Sequence, residues 1–205
     1  MAFYNELDDI LNVVIGDMIL KNQDLCKLLY YYPDSKTLRF DPIAQPDIQD
    51  TSVLLLDKIF PLPKSPDLET EQTGFMTVLL TGGAPMDNSG YRKVNLVFDI
   101  VCHLNTWIIR DSYRPYRIAE EIDKMFNNQQ TKLPIENKPY AIPFRVRDYS
   151  NHFYGLQLCY ELQLNSNLEC NPLPQNLNIN KEPEIPIFAS HILGHNYNGW
   201  VNVVS

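Results

Sequence analysis

The stretch from Tyr91 to Ile109, YRKVNLVFDIVCHLNTWII, constrains this chain more than any other. Val94, Leu96, Phe98, Ile100, Cys102 and Leu104 share one face of an extended backbone, and Lys93, Asn95, Asp99, His103 and Asn105 share the other. As a single strand it exceeds three times the usual length of about five or six residues. It is therefore expected either to project past a compact core or to pair with several shorter strands. Val97, Val101 and Trp107 interrupt the polar face, so part of that face is also expected to be covered.

The flanking segments fit the same sheet. Phe75 to Leu80 reads as a strand, and TGGAPMDNSG, with Gly82-Gly83, reads as the polar tip that returns the chain into Tyr91. After the long run, Asp111 or Ser112 can cap a helix from Arg114 to Phe126, with Pro115 in its first turn and Ile118, Ile122, Met125 and Phe126 facing the sheet. A hairpin follows, from Ala141 to Arg147 and from Phe153 to Leu164, turning at Asp148 to Asn151. Near the N-terminus, Leu7, Ile10, Leu11, Val14, Ile15, Met18 and Ile19 keep helical spacing. A second apolar set, Leu25, Leu28, Leu29 and Tyr32, ends at Pro33. The fold class expected is α+β: an antiparallel sheet with a long hairpin, N-terminal helices, one helix packed on the sheet, and an extended C-terminal arm.

At 205 residues the chain can hold one generous domain. Residues 1–164 read as that domain, interrupted over 33–74 by an extended connection in which Pro33, Pro42, Pro46, Pro61, Pro63 and Pro66 prevent long regular elements. Residues 165–205 hold nine asparagines, four prolines and four charged residues, the composition of an arm. Its apolar residues, among them Ile187, Phe188 and Trp200, are expected to be ordered against another subunit.

Composition excludes some tasks. A formal net charge of −8 disfavours tight nucleic-acid binding, which depends on Lys and Arg meeting phosphates. The acidic start MAFYNELDDI is unlike a secretory signal, and no run approaches 18 apolar residues, so a soluble protein with no membrane partner is expected. The four cysteines, Cys26, Cys102, Cys159 and Cys170, lack metal-site spacing and suit a reducing compartment.

No cluster has the spacing of a catalytic or metal site. His191 and His195 are four apart but lack a third ligand, and Gly194 disfavours a helix there. Asp99 and His103 have no serine or cysteine nucleophile placed to complete a triad. Gly82-Gly83 is followed by neither GK[ST] nor a helix, so it is not a phosphate loop. No enzyme activity, no cofactor and no metal are expected. Arg110, Arg114 and Arg117, with Tyr113 and Tyr116, form the basic and aromatic cluster of the chain; together with Trp107 and Trp200 they are the candidate subunit contact, since Arg and Tyr are enriched at interfaces.

The order of elements from Phe75 to Leu164, above all VNLVFDIVCHLNTWII followed by YRPYRIAEEIDKMF, resembles the tail terminator and tail-completion (neck) proteins of long-tailed bacteriophages. That resemblance implies a structural virion protein, assembled in the host cytoplasm into a homo-oligomeric ring, sixfold by family analogy. The ring would end the tail tube, join it to the connector, touch neighbouring neck and tail-tube proteins, and let DNA pass through its lumen. Another neck, connector or baseplate component is the alternative within that class. A soluble host-directed interaction protein and a small-molecule enzyme are the alternatives outside it.

Overall fold

In the computed structural model, which describes residues 2–33, 40–66, 73–85, 91–127, 133 and 139–165, the long run is divided in two. The elements are α1 (Ala2–Asn12), α2 (Gln23–Tyr30), β1 (Ile59–Phe60), β2 (Gly74–Pro85), β3 (Tyr91–His103), β4 (Ile108–Ile109), β5 (Ser112–Tyr113), α3 (Arg114–Asn127), β6 (Tyr140–Ser150) and β7 (Phe153–Asn165). The strand stops at His103 because local hydrogen bonds turn the backbone: His103 Nδ1 accepts from the Asn105 N–H at 3.1 Å, and Thr106 Oγ1 donates to the His103 carbonyl at 2.9 Å. Ile108 and Ile109 then enter a small hairpin with β5, around Asp111 at φ 56°. The single strand to Ile109 is thus corrected to a 13-residue strand.

That strand neither projects nor pairs with short partners. β2 lies along one side and β7 along the other, in a five-stranded sheet of order β1-β2-β3-β7-β6. β1 is parallel to β2, and every other pairing in this sheet is antiparallel. The fold is α+β, as the sequence indicates.

The core forms on the face that carries the alternating apolar set. Phe98 is fully buried, with its ring 5.8 Å from Phe126 of α3 and 6.0 Å from Tyr160 of β7. Ile118 and Ile122 of α3 and Leu156, Leu158 and Leu162 of β7 complete this layer. Each such side chain contributes about 1.5–3 kcal/mol on burial. Val101 marks where the opposite face is covered, in a cluster with Phe60, Phe75 and Phe153, packed by Leu56 and Tyr149. Close strand approach there requires Gly155: a Cβ at that position would lie 1.6 Å from the Ile100 carbonyl oxygen.

Several local expectations change. The N-terminal helix continues through Val13–Ile19 in wider, π-type turns, with the Leu20 N–H bonded to the Ile15 carbonyl at 2.9 Å; Val14, Ile15 and Ile19 are all buried. The proline-bearing connection is packed where it is described. Gln23 exchanges two hydrogen bonds with the Ile48 backbone at 3.0 and 3.1 Å, and Asp50 caps a turn at Thr51–Leu54 whose Leu54 is buried. Gly82 and Gly83 are not the hairpin tip: they lie within β2, at φ 90° and 107°, beside a bulge. Neither Asp111 nor Ser112 caps α3, since both belong to the β4–β5 hairpin, and the Arg114 N–H is bonded to the Trp107 carbonyl at 2.8 Å. β6 runs on to Ser150, shortening its turn to Asn151 and His152. All described residues fall in one compact unit, Met1–Leu168; the arm beyond Asn165, with His191, His195 and Trp200, lies outside them.

Candidate interaction surface

Arg114 separates from the basic and aromatic cluster first. As the first residue of α3 it turns inward and is fully buried. Its guanidinium donates to the carbonyls of Thr106 (3.0 Å), Tyr31 (3.1 Å) and Leu28, with its central carbon 4.4 Å from the centroid of the Tyr32 ring. Leu28 and Tyr31 lie at the C-terminal end of α2, where unpaired carbonyls and the helix dipole favour a cation. No carboxylate among the described residues pairs with it. Tyr32, whose hydroxyl is bonded to the Gly74 carbonyl at 3.2 Å, carries the same junction to the start of β2. Burial removes Arg114 from any contact set: it ties α2, the turn after β3 and α3 together.

The remaining described members stay near the surface. Arg110 is exposed, 3.4 Å from Asp111 and 3.9 Å from Asp41, and its N–H donates to the Phe40 carbonyl at 2.8 Å. Arg117 pairs with Glu120 at 2.5 Å. Glu120 in turn meets Lys124 at 2.9 Å, and these cations hold the Glu120 carboxyl below its usual range, the Lys124 hydrogen bond most of all. Trp107 is half-buried. Tyr113 and Tyr116 are exposed, their rings 6.1 Å apart.

The surface grows from these two tyrosines onto β6, which the sequence reading passed over. The Tyr116 ring meets Phe144 at 6.3 Å, edge to face. Phe144 and Val146 are 54% and 63% exposed, although Val146 is paired with the core residue Leu156. The cause is position: α3 lies over β3 and β7, and β6 is the sheet's outer strand. An exposed aromatic and aliphatic strip of this kind has the composition of a protein contact, while Arg145 and Arg147, alternating with it along β6, lie toward the sheet's other face with Gln157. The available signal was the alternation Phe144, Val146 against Arg145, Arg147, which Pro143 and a bulge between Ile142 and Arg145 obscure.

The sheet's other face holds a groove of about 410 Å³ lined by residues including Leu79, Val97, Ile142 and Cys159, together with Asp99 and Arg145. Asp99 accepts from Gln157 Nε2 at 2.9 Å and from the Tyr149 hydroxyl at 3.0 Å. Burial first, then the Asp99 charge and hydrogen bond, push the Tyr149 phenol upward, so it stays protonated and donating. These bonds make Asp99 a structural acceptor. His103, stacked on His152 at 5.9 Å, is engaged elsewhere, and no hydrogen bond joins it to Asp99 among those described. Burial pushes the Cys102 thiol up to about 12, which keeps it protonated and unreactive. Among the described residues no three His, Cys, Asp or Glu side chains group to hold a metal, and no helix is long and apolar enough to cross a membrane.

No curated protein matches the chain. The family model YomW matches residues 22–162, from the residue that caps α2 to three residues short of the end of β7, and so spans all of β1, β2, β3, β6 and α3, most of β7, and the Tyr116–Phe144 surface. The chain belongs to the YomW family.

Proposed function

We propose that this chain is a structural subunit of a tailed-phage virion, a ring protein at the head–tail junction that ends the tail tube and meets the connector. The observation that carries the reading is the exposed set Tyr113, Tyr116, Phe144 and Val146, which runs from the start of α3 onto β6, an outer strand of the sheet. Exposed apolar surface of this kind supports assembly with protein. The Asp99 and His103 sites are occupied by structural hydrogen bonds, which supports a role without catalysis. The resemblance of the stretch Phe75 to Leu164 to neck proteins supports the rest of the reading: sixfold symmetry, partners above and below, and a lumen that passes DNA. The acidic charge fits a lumen that does not hold DNA tightly.

Light scattering on the purified full-length chain across a wide concentration range tests the assembly. A closed oligomer of defined mass is expected. A monomer at every concentration would overturn the ring and favour a soluble interaction protein.

A further inference from the structure

The sheet has two open edges among the described residues. β6 has no outer strand, and β1 covers only Met76 and Thr77 of β2. Each step from β2 through β3 and β7 to β6 is antiparallel, so β2 and β6 run in opposite directions. Two copies set side by side in one orientation therefore offer each other antiparallel edges. Irregularities limit the usable lengths. On β6 the regular stretch between its two bulges is 145–148; on β2 the stretch between Thr77 and the bulge after Gly82 contains 78–81. The β2 stretch runs one residue further, to Gly82, so the four residues of β6 fit along it.

We infer that residues 145–148 of one copy pair antiparallel with residues 78–81 of the next, extending the sheet head to tail between copies of this chain. This rests on the assembly reading above and names its contact. The pairing sets Val146 opposite Leu80 and Arg147 opposite Leu79. Within one subunit Val146 is level with Met76, through Leu156 and Ile100, so neighbouring copies are offset by about four residues, roughly 13 Å. An even offset keeps the faces in phase: Val146 and Leu80 both lie on the core side, and the exposed valine gains an apolar cross-strand partner. An odd offset would turn it to the other face.

A stagger of this kind tilts the strands, as closing a sheet into a barrel requires. Charge does not oppose the contact: Arg145 and Arg147 are exposed on β6, and residues 78–81 carry no charge. Unlike edges can close into a ring, whereas β6 against β6 stops at a dimer.

The test is disulfide trapping in the full-length chain with Cys159 and Cys170 changed to Ser. Val146→Cys combined with Leu80→Cys, and separately the exposed pair Arg145→Cys with Thr81→Cys, are oxidised and run without reductant. A ladder of covalent oligomers is expected from each pair and none from Val146→Cys alone. Oligomers in light scattering with no ladder from either pair would overturn this pairing and leave the ring intact. Dimers from Val146→Cys alone would overturn it in favour of β6 against β6. A folded monomer throughout would overturn both the pairing and the ring.

Discussion

The ring of Tyr116, on the first turns of α3, meets that of Phe144, on β6, at 6.3 Å with the planes 85° apart, and both rings remain more than two-fifths exposed. The pair joins a helix and an outer strand without being enclosed by either. Changing both residues to Ser is expected to weaken association at least tenfold, as loss of an interfacial hot spot does. The monomer should lose only about 0.5–1.5 kcal/mol, the usual worth of an aromatic pair. Sedimentation and denaturant melts on the same variant separate the two effects.

Arg114 carries a different expectation, because its guanidinium is buried against carbonyls of Leu28, Tyr31 and Thr106. Arg114→Met should cost about 2–4 kcal/mol by leaving those carbonyls without a charged donor. Arg117→Glu, at a half-exposed position, should leave the denaturation midpoint nearly unchanged. Reversing both charges together would report on folding rather than assembly.

Stability should depend on pH through His103. Burial, and then the neighbouring His152, hold its pKa below the usual histidine value. Its Nδ1 accepts from Asn105, so protonation there removes the bond that turns the chain after β3. With the folded pKa depressed, the unfolded state takes up the proton first. Stability is therefore full above about pH 6.5 and falls as pH drops through the window below it. Denaturant melts at pH 7.5 and 5.5 should show a smaller loss in His103→Asn, whose amide oxygen can still accept from Asn105.

At Gly155 the expected effect is steric. Its Cβ would lie 1.6 Å from the Ile100 carbonyl oxygen, so Gly155→Ala must push β7 from β3. A loss of about 3 kcal/mol or more in a denaturant melt is expected, where an alanine in an ordinary strand position would be tolerated.

Periodicity made the sheet legible. The alternation at Val94, Leu96, Phe98 and Ile100 marks the buried face, and Val101 signals the smaller cluster on the other. The end of β3 is hidden in the sequence because His103 and Asn105 continue the polar face of the alternating pattern, while the His103 and Thr106 side chains bond the backbone into a turn. Arginine is rarely buried alone, so the sequence points Arg114 to the surface; only the fold brings the end of α2 to the start of α3 and supplies the carbonyls. Phe144 and Val146 escaped notice because exposure on an outer strand follows from what α3 leaves uncovered, a property of packing and not of local pattern.

Electron microscopy of intact particles carrying a labelled copy of this chain tests the central claim most directly. Label in a single ring at the junction of head and tail is the expected result. Label along the tail or at its far end, or purified particles that lack the chain, would contradict it.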